Sequence, residues 1–267
     1  MQKKKQKPER VSKPYLTGRM IDRSTLGGAL KFFASTLLLV FVYFMSMAAN
    51  TDKVSVLSVV INAGILLVTW MVYWQNGMAS GADAVTQGEI MFQRQEKGRP
   101  VESWEKEQCF HPLKGAVAAL FGTLPLLICA VILACMAKRQ MTSLGTLPGW
   151  VSAFEGRQEI GGALAYYHQE AALTLEGVLR LIVRMAVMPW VNLLGASNKD
   201  MMLLVERISP VLVLLPAISY GLGYFCGPQE RVAVHSNIAL GKKKQKKKQA
   251  RERRKRQVER RGPEQLN

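Results

Sequence analysis

Histidine is scarce in this chain, with three in 267 residues, and cysteine is nearly as scarce, with four. His111, His168 and His235 lie far apart, and the single C-x-H, Cys109 to His111, has no second cluster to complete it. A zinc site needs about four ligands, so no metal centre is expected. Cys129 and Cys135 stand on one apolar run and point about 240° apart around a helix, which excludes a disulfide between them. The sequence also lacks a Gly-rich phosphate loop, an H-E-x-x-H and a G-x-S-x-G. No reaction class is therefore indicated, no cofactor is expected, and the chain reads as a non-enzyme.

Charge is absent where a soluble protein would spread it. Residues 1–19 carry seven basic residues and one acid, residues 242–261 carry 13 basic residues and two acids, and the remainder carries 16 of each. The net charge of +17 thus belongs entirely to the two ends, and the middle is neutral and apolar. An ordinary soluble enzyme of high pI is excluded by that distribution.

What fills the middle is a set of long apolar runs. Residues 32–49, 54–74, 115–137 and 208–226 are free of charge. A helix needs roughly 20 apolar residues to cross a bilayer. Lys31, Lys53, Lys114, Lys138, Arg139, Arg207 and Arg231 flank these runs, as expected at a membrane interface. The second run follows the first after four residues, and the basic segment before the first is too long for a signal peptide, so both are read as retained spans forming a tight hairpin.

A fifth stretch, 173–196, is apolar but carries Glu176, Arg180 and Arg184 at i, i+4 and i+8, one stripe on a helix. Only 12 uncharged residues follow Arg184, with Pro189 among them, which is short for a span. An interfacial or re-entrant amphipathic helix is expected, and the competing reading is a fifth span with its charges facing the bundle. The fold class is then all-α: a polytopic integral membrane helical bundle of four transmembrane helices plus this fifth helix. Three domains follow. Residues 1–31 form a basic N-terminus. Residues 32–226 form the membrane domain, with a cytoplasmic loop at 75–114 and an outer segment at 138–207. Residues 227–267 form a polybasic, disordered tail. Basic ends stay on the cytoplasmic side, which places both termini there and the protein in a plasma membrane, read as bacterial. Trp150, Phe154, Tyr166 and Tyr167 of the outer segment suit headgroup depth.

Candidate functional residues are few. Arg180 and Arg184 could hold a phosphate or a carboxylate, but the reading that fits an interfacial helix is that they reach lipid headgroups while Glu176 pairs with Arg180. Glu206 and Arg207 read as an anchor at the mouth of the last span. Asn62, deep in the second run, is expected to make an interhelical hydrogen bond. The tail offers Lys242, Lys243, Lys244, Lys246, Lys247, Lys248, Arg251, Arg253, Arg254, Lys255, Arg256, Arg260 and Arg261 to a polyanion, either anionic lipid or ribosomal RNA. Membrane lipids and other proteins in the membrane are the remaining expected partners.

Three functions fit: an accessory or scaffold subunit with a polyanion-binding tail, a small-solute transporter or permease subunit using the proline-kinked helices, and an insertase-like biogenesis factor. The third arises because the length, the five apolar runs and the polybasic tail resemble in architecture the YidC-type membrane insertases of Gram-positive bacteria. The chain departs from that family in having no Arg within its four spans and no clear heptad in the 75–114 segment. The scarcity of charge in the spans also weighs against a proton-coupled transporter.

Overall fold

The structure, a computed structural model, describes residues 12–47, 56–137, 157, 175–194 and 199–260. Among them are eight helices: α1 (Arg23–Met47), α2 (Val56–Glu96), α3 (Ser103–Lys106), α4 (Lys114–Met136), α5 (Leu175–Ala186), α6 (Met188–Leu194), α7 (Lys199–Phe225) and α8 (Gly227–Arg260). No strand occurs among the described residues, and the one isolated bridge joins Thr17 to Phe110. Four helices, α1, α2, α4 and α7, are long and apolar enough to cross a membrane.

These four helices differ from the sequence reading at their ends. α1 begins at Arg23, nine residues before the apolar run. Asp22 caps it, accepting hydrogen bonds from the Thr25 backbone N–H at 2.9 Å and from the Thr25 and Ser24 hydroxyls. α2 does not stop at Trp74. It runs on to Glu96, through what reads in the sequence as a loop, because Met78 to Gln95 contains no proline and keeps helix-forming residues between its small ones. At 41 residues it is about 60 Å long, twice the hydrocarbon thickness of a bilayer. α7 starts at Lys199, so Glu206 is inside a spanning helix and not at its mouth. Pro125, Pro210 and Pro216 all lie within helices.

The chain forms two compact units. One comprises Met1–Gly27, Tyr73–Val117 and Ser219–Asn267; the other comprises Gly28–Val72 and Ala118–Ile218. Each long helix contributes to both. α1 and α4 begin in the first unit, and α2 and α7 end in it. The chain between α4 and α7 holds α5 and α6, which meet at 85°, the bend of a re-entrant loop or of a broken span. The break has a local cause: Pro189 has no N–H to give to Met185 and its ring clashes with that carbonyl, so the helix ends at Ala186 and restarts.

The tail differs most from its reading. It is a single 34-residue helix, α8, and not a disordered segment. Lys, Gln, Ala and Arg are good helix formers, and Glu252 lies at i+4 and i−4 from Lys248 and Arg256. The expected turn at Asn50–Lys53 and the aromatic residues Trp150 to Tyr167, with His168, lie outside the described residues.

Candidate functional site

In the second unit the bent α5–α6 pair is held by charge. Along α5, Leu179 and Val183 are buried, and Val187 and Val191 continue the row at four-residue spacing. Val183, Val187 and Val191 of that row pack on Ala130 and Leu133 of α4 and on Val205 and Val213 of α7. Arg180 and Arg184 occupy the next row on the same helix, so burying the valines carries the guanidinium groups to α7. Glu206 meets them there, with its side chain 3 % exposed. Its Oε1 accepts from Arg180 Nε at 2.9 Å, from Arg184 Nε at 2.9 Å and from Arg184 Nη2 at 2.5 Å. Glu176 takes Arg180 Nη2 at 2.8 Å. Two cations and two anions thus close on each other. The structure pairs Glu176 with Arg180, as the spacing suggests, and adds Glu206 as a carboxylate of the chain that both arginines bind.

Asn62 is fully buried in the same unit. Its amide donates to the Ser58 carbonyl at 2.8 Å, and its Oδ1 accepts from Asn192 of α6 at 3.2 Å. Both limbs of the bent pair are therefore fixed to spanning helices by polar contacts, α5 to α7 and α6 to α2. Beside the bend lies a small, largely apolar cleft of about 90 Å³, lined by Thr36, Tyr43, Thr69, Trp70, Trp190 and Pro216 among others. The Tyr43 hydroxyl donates to Thr69 Oγ1 at 3.0 Å.

The first unit packs on glycine. Gly77 and Gly81 of α2, and Gly223 with Gly227 at the α7–α8 junction, are each four apart. A Cβ on Gly77 would lie 2.1 Å from the Tyr220 carbonyl oxygen, and one on Gly81 2.4 Å from that of Tyr224. The backbones touch, as in small-xxx-small helix pairs. The pairs Gly81–Gly227 and Glu89–His235 run in the same direction along both helices, so α8 lies parallel to the end of α2. Glu89, 6 % exposed, accepts from Arg231 at 3.1 Å and lies 2.8 Å from His235 Nε2. Phe110 stacks on Tyr224 and meets Tyr15 edge-on, beside Val85. Lys114, expected at the interface, is buried with Asp22 at 2.7 Å and also donates to the Glu107 carbonyl.

Two ionisable groups of this unit that lie outside the spanning helices are displaced from their ordinary values. Burial raises the Asp22 carboxyl, but the Lys114 ammonium, the Thr25 N–H and the Ser24 and Thr25 hydroxyls outweigh it, and the net shift is downward. Burial pushes the Cys109 thiol up, and Lys114 and Lys106 only partly oppose it.

Beyond His235 and Ser236, α8 is uncovered. Gly241 through Arg254, Arg256 and Gln257 are all exposed. Of the 13 basic tail residues, Arg261 lies outside the described residues. Sequence reasoning missed Asp22, Glu89, Asn192, Arg231 and His235. The signal available was the pair of four-residue glycine spacings, which mark where α2 and α8 approach, and the i, i+4 spacing of Arg231 and His235. No known protein family, curated protein or solved structure matches this chain at a significant level.

Proposed function

We propose that this protein is a non-enzymatic, multi-pass membrane scaffold that presents α8 as a polycationic arm to a polyanion on the cytoplasmic side. The observation that carries the reading is the arm itself: a helix fixed to the first unit through Glu89 and then exposed from Gly241 through Arg254 and at Arg256. Orientation follows from charge. The N-terminal segment bonds to the α2–α4 region through Leu16 N–H to Gly88 O and Gly18 N–H to Phe110 O, and α8 bonds to α2. These contacts support a common side for the two basic ends, and basic segments resist translocation. The membrane is read as a bacterial plasma membrane.

The charge cluster around Glu206 supports a structural role for the bent pair, because its charges cancel internally. A transporter reading draws on the broken α5–α6 pair and the adjoining cleft, features that line substrate paths elsewhere. The insertase-like reading draws only on architecture. The test is retention of the detergent-purified full chain on an immobilised polyanion at physiological salt. A variant ending at Gly241, with unchanged thermal stability, is expected to lose retention. Equal retention of both proteins would remove the reading.

A further inference from the structure

Four features of the arm bear on which polyanion it meets. First, the basic run is helical and begins at Lys242, 17 residues beyond the end of α7, or about 25 Å of helix. Second, the intervening part of α8 is held parallel to α2 by the Gly81–Gly227 approach and by Glu89 with Arg231 and His235. α2 itself is about 20 residues longer than a bilayer's hydrocarbon requires, and α8 follows that excess. Third, the field of an anionic leaflet decays within a Debye length, about 8 Å at physiological salt. The run starts about three such lengths along the helix from the span.

The fourth feature is the distribution of charge around the helix. From Lys242 to Arg256 there are 11 basic residues and one acid, a net +10 over about 22 Å. At 100° per residue the basic positions cover the whole circumference except one strip of about 80°, occupied by Gln245 and Glu252. A flat surface meets at most half of a helix. Cations on the far side would stand about 10 Å further off, again beyond a Debye length. The arm also has no apolar face to bury in an interface, as membrane-surface helices do. A double-helical nucleic acid differs on each count. It carries about one negative charge per 1.7 Å, or about 13 over the length of this run, and as a soluble polyanion it can reach cations that stand beyond the field of a leaflet.

We infer that the basic run of α8 binds the phosphate backbone of double-helical RNA, and not the membrane in which the protein sits. The inference rests on the polyanion-binding reading above and names its partner. The run has no aromatic residue and no Asn, so binding follows backbone charge and shape with little base preference.

The experiment uses the full chain in nanodiscs of neutral lipid and in nanodiscs of mixed neutral and anionic lipid, with a fluorescent RNA hairpin as probe. The expected result is RNA binding in both discs with similar affinity, falling about 10³-fold between 50 and 200 mM salt. Exchanging the six lysines from Lys242 to Lys248 for Gln should reduce the salt slope by roughly half. If anionic lipid in the disc abolishes RNA binding, or shields the arm from trypsin without RNA, the arm belongs to the leaflet; the inference is overturned and the polyanion reading stands. If RNA fails to bind in either disc while the immobilised polyanion retains the protein, the inference alone is again overturned. Failure of both assays removes the inference and the reading together.

Discussion

Glu206 is the residue on which the bent pair turns. It is a carboxylate at membrane depth that takes three hydrogen bonds from two arginines on one oxygen. Removing one partner of such a buried group leaves uncompensated charge. Glu206→Leu should therefore cost roughly 3–5 kcal/mol, read as a fall in the melting temperature of the detergent-solubilised protein. The triple variant Glu206→Leu, Arg180→Leu, Arg184→Leu should recover most of that loss, since replacing a whole buried network by apolar groups is often neutral or better. A triple variant no more stable than the single one would show that the network does more than cancel its own charges. Asp22 gives a prediction in pH. Its carboxyl titrates lower in the folded chain than the ordinary 3.8. Its contribution is thus complete above that value and is lost as pH falls through the folded value. Acid titration of stability should show a component below pH 3.8 that Asp22→Asn lacks.

At the scale of elements, α2 and α8 depend on glycine in a way that can be tested against neutral positions. Gly81→Ala should push α2 off the α7–α8 junction, because its Cβ would meet backbone at 2.4 Å, which cannot swing aside. Gly64→Ala meets nothing within 4 Å and should instead stabilise the helix by about 0.5–1 kcal/mol. Thermal melts of the two variants moving in the same direction would contradict this arrangement. The same elements show what a sequence reveals. The four spans were legible because an uncharged run of about 20 residues has one stable outcome in lipid. The extension of α2 was not, because its residues are mixed in polarity and only pairing with α8 makes them a buried face. Glu206 was misread because it directly precedes Arg207, and adjacent residues on a helix face different ways: Glu206 is buried, whereas Arg207 is exposed. The helical tail was missed because charge density argued for disorder more loudly than propensity argued for helix.

For the whole molecule, the proposed orientation rests on an even number of crossings. The first compact unit gathers the N-terminal segment, the α2–α4 connection and α8. Single-cysteine variants at Ser12 and Gln265 should both resist an impermeant thiol reagent applied to intact cells, and both should react after lysis. Labelling of either one from outside would remove the even-crossing topology and, with it, the cytoplasmic placement of the arm.

The parallel packing of α8 on α2 also sets an order of events. The residues that meet, Gly81 with Gly227 and Glu89 with His235, are separated by 146 positions in the chain. At about 5–20 residues per second, the ribosome supplies the second member of each pair roughly 7–30 s after the first. Throughout that interval the glycine face of α2 is bare and Glu89 has neither Arg231 nor His235. The unit that carries both termini is therefore among the last parts of the protein to close, and a chain stopped before Gly227 would never complete it.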